Sequence, residues 1–228
     1  MPTIDLATST VRELNASLHA LQPSTNETHW EVLNPDGRHS LAVGLDAPVT
    51  VEIAGHAGYY CGGMNKGATV KVAGNVGVGV AENMMSGEVR VAGDASQAAG
   101  ATGRGGLLVI DGNASARCGI SMKGIDIVVK GGVGPMSAFM AQEGNLVVLG
   151  DAGEALGDSI YEARLFVRGT VKSLGADCEE KSVGTEELAI LEGILARAGF
   201  DDVRADEFRL YGSARRLYHF HVDNVDAY

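Results

Sequence analysis

Three groups of residues in the sequence have the types and spacing that chemistry uses. In the tail, His219-Phe220-His221-Val222-Asp223 alternates two imidazoles and a carboxylate. An extended segment would put His219, His221 and Asp223 on one face, as a metal site asks. Solvated or interface side chains are the simpler assignment, because no second-shell partner is identifiable. Cys61 and Cys118 are 57 residues apart, and with Cys178 they complete the cysteines, none in a CxxC pair. That argues against a zinc site or a disulfide framework. Gly77-Val78-Gly79 and Gly103-Arg104-Gly105-Gly106 are glycine-rich enough for phosphate loops. Neither leads into a helix whose N-terminus would hold the anion, so both are expected to be corners. No catalytic residue is assigned.

The elements that position these residues follow from a period. Gly55, Gly74, Gly93, Gly112, Gly131, Gly150 and Gly169 are spaced by 19 residues each time. Two and four residues before each lies an apolar pair, from Val51/Ile53 to Leu165/Val167, the alternation of a strand with one buried face. Two residues after each glycine a small apolar column, from Ala57 to Val171, is expected to point inward around the corner. A strand, a glycine corner and a return to phase describe one coil of a parallel solenoid. The marker glycines are expected either to supply positive φ or to let backbones approach closely. The fold class is therefore all-β, a single-stranded parallel β-helix of about seven 19-residue coils, right-handed by the general preference of parallel crossovers. At about 4.8 Å per coil, seven coils make a rod roughly 34 Å long. Cys61 and Cys118 then lie three coils apart in one phase, roughly 14 Å, too far for a disulfide.

An open solenoid end exposes unpaired backbone, so covers are expected. Residues 1–48 form an N-terminal helix and cap, in which Thr10-Val11-Arg12-Glu13 is a capping box and Val11, Leu14, Leu18 and Leu21 form an apolar stripe. Residues 49–178 form the β-helix. Residues 179–228 hold a second helix over 185–198, capped by Thr185, and an extended tail whose Arg209, Arg215 and Arg216 are candidates for docking a partner. Met64, Met84, Met85, Met122, Met136 and Met140 fall in the non-strand half of their coils, as packing or as a deformable interface. Asn65, Lys66, Glu82, Asn83, Lys123 and Glu143 are expected at solvated corners.

Composition narrows the function. Of 228 residues 32 are glycine, and the formal charge is −11. The charge disfavours nucleic acid and anionic membranes as partners. With no signal-like start and no long apolar run, a cytoplasmic location is expected.

The columns Gly55-His56-Ala57-Gly58-Tyr59-Tyr60-Cys61-Gly62 and Gly150-Asp151-Ala152-Gly153-Glu154-Ala155-Leu156-Gly157 resemble the GXGXG β-helix family. This family includes the C-terminal domain of the glutamate synthase large subunit and the C subunit of formylmethanofuran dehydrogenase. The flanks, including Leu41-Ala42-Val43-Gly44-Leu45-Asp46 and Leu217-Tyr218-His219-Phe220-His221, are most similar to the B subunits of N-methylglutamate synthases (methylamine-glutamate N-methyltransferases). The resemblance implies a scaffold that carries no catalytic residue and no cofactor. Its implied partners are a glutamine-amidotransferase-like subunit and an FMN-binding, glutamate-synthase-like subunit with an iron-sulfur cluster. The implied reaction gives N-methyl-L-glutamate and ammonia from methylamine and L-glutamate. A subunit of a formylmethanofuran dehydrogenase or formyltransferase/hydrolase complex is the alternative within the family. An acyltransferase on a hexapeptide solenoid, with His56 between coils, and a self-assembling structural protein are the readings from other classes. The missing six-residue rhythm and the two caps weigh against them.

Overall fold

The computed structural model describes residues 1–215. Its strands and helices follow in the order β1 (Thr3–Asp5), α1 (Val11–His19), β2 (His29–Leu33), β3 (Thr50–Ile53), β4 (Lys66–Val72), β5 (Ser86–Val91), β6 (Leu107–Ile110), β7 (Lys123–Val129), β8 (Glu143–Val148), β9 (Arg164–Val167), β10 (Cys178–Lys181), α2 (Thr185–Ala198) and β11 (Arg209–Ser213). From β3 to β9 each strand lies parallel to the next, with partners 19 residues apart, as in Val51 with Val70 and Val148 with Val167, save at the start of β4 and of β7, where one extra residue sets Lys66 against Ser86 and Lys123 against Glu143. The apolar pairs found in the sequence are the inward residues, and all are buried. A second ladder of single bridges joins Ala57, Val76, Ala95, Ala114, Val133, Ala152 and Val171. The chain is thus a parallel β-solenoid of about seven turns.

The sheet does not begin at residue 49. β2 pairs in parallel with β3, Val32 against Ile53, and β1 pairs in parallel with β2. Residues 1–48 therefore contribute two strands of the same sheet as well as a helix.

The marker glycines serve close approach. A Cβ on Gly112 would lie 2.7 Å from the Gly93 carbonyl oxygen and against the Asp94 carboxylate, nearer than real Cβ atoms come. Positive φ belongs instead to the column seven residues on, as at Gly62 (63°) and Gly100 (67°), where Ala81 (56°) and Ala138 (58°) also take it. Of the marker glycines only Gly55 has positive φ, at 152°.

The covers differ from expectation at the C-terminal side. α1 behaves as read: Thr10 and Glu13 exchange the two bonds of the capping box, Glu13 N–H to Thr10 Oγ1 at 3.2 Å and Thr10 N–H to Glu13 Oε2 at 2.7 Å. Leu14 and Leu18 are buried in the solenoid core. Asn15 and His19 donate to the carbonyls of Ser40 and Val43, each at 2.7 Å. Polar groups of the helix thereby satisfy the open end of the first coil.

α2 is capped by Gly184, whose N–H is taken by the Glu187 side chain at 3.0 Å. Thr185 is already helical and makes no cap. The helix ends at Gly199 in the left-handed conformation, φ 82°. It does not cover the solenoid's end. Leu191, Ile194, Leu195 and Ala198 pack with Leu107, Val109, Val128, Val147, Leu149 and Phe166, most of which face outward from β6–β9. These strands are buried on both faces, unlike β3–β5, whose outward positions are Glu52, Lys71 and Arg90. The end is closed by β11, antiparallel to β9, with the short, charged β10 (Cys-Glu-Glu-Lys) as the outermost strand. Part of the tail read as an extended docking segment is thus a strand of the sheet.

Candidate functional site

The residues singled out for chemistry are mostly consumed by the fold. Cys61 and Cys118 are fully buried, and desolvation pushes each thiol up to about 12. Cys178 is partly exposed, and burial again raises it, to about 11. A thiol so raised is a poor nucleophile at neutral pH. Met84 and Met122 are core residues, while Met64, Met85 and Met140 are exposed. Asn65 is not at a solvated corner. It is fully buried, its amide donating to the Ala68 carbonyl at 2.7 Å and accepting the Ala68 N–H at 3.1 Å.

The glycine-rich segment 77–79 runs on into a turn and 103–106 into β6, and neither leads into a helix. Arg209 donates to the Gly169 carbonyl at 3.1 Å and lies 5.8 Å from the ring centre of Tyr211. Arg215 is paired with Asp177. Arg216, His219, His221 and Asp223 lie outside the described residues. Among the described residues, no three His, Cys, Asp or Glu side chains gather as metal ligands. No described helix is long and apolar enough to cross a membrane.

One polar column escaped the sequence reading. After five of the seven marker glycines, the next residue accepts the backbone N–H of its counterpart one coil on. His56 Nδ1 takes the Asn75 N–H at 2.8 Å, Asn75 Oδ1 that of Asp94 at 2.9 Å, and Asp94 Oδ1 that of Asn113 at 2.7 Å. Asn113 Oδ1 takes the Gly132 N–H at 2.9 Å. Gly132 has no side chain to pass the pattern on, and it resumes where Asp151 Oδ1 takes the Thr170 N–H at 2.7 Å. The Thr170 N–H and hydroxyl hold the Asp151 carboxyl below the usual carboxylate range. The signal was legible at the same 19-residue period, in a column of Asn and Asp beside the glycines.

His56, the solenoid histidine an acyltransferase would need as a base, thus uses Nδ1 as an acceptor for backbone. The hydroxyl–imidazole contact that the described residues do offer is Thr28 Oγ1 with His29 Nδ1, at 3.2 Å on the exposed start of β2.

The described residues also form concavities. An open groove of about 820 Å³ runs over the polar column between Asn113 and Lys172. A cavity of about 710 Å³ lies where β9, β10 and β11 meet, lined by Tyr161, Arg164, Lys181, Glu187, Tyr211 and Arg215. A recess of about 340 Å³ sits on the outward face of β2–β5 among Glu31, Glu52, Lys71 and Arg90. Their polar side chains are mainly engaged with one another or with backbone: Lys71 with Glu52 at 3.1 Å, Lys172 with Glu154 at 2.8 Å, and Arg90 with the last carbonyls of α2. Such an arrangement offers shape and fixed dipoles rather than groups poised for proton transfer.

Fold and surface together define a capped parallel β-solenoid with a polar corner column that ties neighbouring coils together. No family model matches the sequence. The chain is 65% identical over 228 residues to Protein GlxC of Rhizobium meliloti (strain 1021), covering 100% of both proteins. It belongs to the family of that protein. No solved structure matches it.

Proposed function

We propose that this protein is a non-catalytic scaffold subunit of a glutamate-synthase-like complex, of the N-methylglutamate synthase type. The observation that carries this reading is the use of the repeat's polar residues. The column from His56 to Thr170 is spent on backbone hydrogen bonds between coils. The GXGXG-like repeat supports the family of the complex, with the 19-residue coils read as winding right-handed. In this reading an amidotransferase-like subunit and an FMN-binding subunit with an iron-sulfur cluster perform the chemistry. The complex forms N-methyl-L-glutamate and ammonia from methylamine and L-glutamate, and this chain holds its partners at fixed separation.

Co-expression with the two partner subunits tests the assembly. The expected result is one complex at gel filtration, with FMN and iron-sulfur absorbance in the partner and none in this chain purified alone. Three chains that elute separately at micromolar concentration would remove the reading.

A further inference from the structure

The turn segments, between the single-bridge ladder and the next strand, carry most of the large exposed apolar side chains. Tyr60 is 46% exposed, Met64 53%, Met85 45% and Met140 40%. Between the apolar coils at either end, the middle coils present Arg104 and Arg117, both exposed and without an ion-pair partner among the described residues. The six turn segments (59–66, 78–85, 97–104, 116–123, 135–142 and 154–161) hold four cationic and three acidic residues, a formal +1 on a chain of −11.

A second, independent feature lies in the backbone. Tyr60 (φ 58°), Met64 (52°), Arg117 (59°) and Met140 (52°) are left-handed. Side chains of L-residues rarely adopt that conformation, which glycine and asparagine take readily. Elsewhere in the same two columns stand Gly79, Ala98, Asn83 and Ser121, so the coil does not require bulk there. The coil sets this conformation in every turn, at Ala98, Thr102 and Ser121 as well, so the backbone does not call for the large side chains of Tyr60, Met64, Arg117 and Met140, and bulk kept at half-exposed positions where Ala or Ser suffices points to a use beyond folding.

We propose that the turn face of the solenoid is a docking surface for a non-identical partner subunit whose contact region is acidic at its centre and apolar on both sides. Arg104 and Arg117 meet the acidic centre, and Tyr60, Met64, Met85 and Met140 seat in the apolar flanks. A second copy docked by the same face fits less well, because that face is formally +1 and would set Arg104 and Arg117 against like charge or leave them unpaired. The inference rests on the scaffold reading above and deepens it by assigning the contact face.

The test uses the full chain and the two co-expressed partner subunits. In the triple variant Tyr60→Gly, Met64→Asn, Met140→Asn, the side chains are removed and the left-handed positions are given residues that favour them. The isolated variant should melt no lower than the native chain, while its dissociation constant for the complex rises at least tenfold. Arg104→Glu with Arg117→Glu should raise it similarly and flatten its salt dependence. A photo-crosslinker at position 85 should label a partner subunit, and one at position 71 on the sheet face should not.

A complex that forms with native affinity in both variants, or crosslinks only from position 71, overturns the docking face and leaves the scaffold reading standing. Crosslinks from position 85 to a second copy of this chain overturn the choice of partner. If no complex forms with native protein, both readings fall.

Discussion

Gly112 is held by backbone crowding. Its missing Cβ is the space in which the Gly93 carbonyl oxygen sits, 2.7 Å from where a Cβ would be. Gly112→Val should cost more than about 1 kcal/mol, read as a lowered urea midpoint, because two stacked coils must part to admit it. An unchanged midpoint would contradict the stacking role. Asp151 carries a second prediction. Its carboxylate accepts from Thr170 N–H and Oγ1–H, which lowers its folded pKa below the ordinary 3.8. A depressed acid adds stability that is present above the unfolded value and lost as pH falls through the folded one. Asp151→Asn keeps an acceptor oxygen but cannot titrate, so the native chain should lose more stability than the variant between pH 4 and lower values. Equal acid sensitivity would separate Asp151 from the ladder. The period of glycines was legible in the sequence, and so was the shared phase of Cys61 and Cys118. The role of the glycines was not, because spacing alone does not tell positive φ from close approach.

At the scale of elements, α2 is the part whose location sequence reasoning missed. The helix itself was plain, but the surface it packs on is a second one, Val109, Val128, Val147 and Phe166, three residues before successive marker glycines. These residues alternate with the inward set and make β6–β9 near-continuous apolar runs, the mark of strands buried on both faces. The charged outward residues of β3–β5 hid the change. Arg90 sits at the border: its guanidinium donates to the Ala198 and Arg197 carbonyls at 2.9 and 3.0 Å, where the helix dipole favours a cation. Arg90→Ala should therefore loosen the helix by about 1 kcal/mol, and hydrogen exchange in residues 185–198 should speed up while the inner strands stay protected. Phe166→Ala, fully buried between β9's outer face and the helix, should cost about 3–5 kcal/mol in thermal or urea unfolding. Near-native stability of that variant would place α2 elsewhere.

For the whole molecule, the sheet is closed at one side by β1 and α1 and at the other by β11 and β10. Leu210 and Tyr211 on β11 are buried, so the last described strand belongs to the fold. Deleting residues 206–228 should expose the β9 edge and make the chain aggregate, whereas deletion from residue 216 should leave it monodisperse; light scattering distinguishes the two. In the proposed role the rod organises chemistry that its own residues do not perform. Formation of N-methyl-L-glutamate from methylamine and L-glutamate tests it most directly, measured for this chain alone, for the two partner subunits together, and for all three mixed. Turnover is expected only in the three-subunit mixture. Turnover by the isolated chain, or full turnover by the partners without it, would contradict the account.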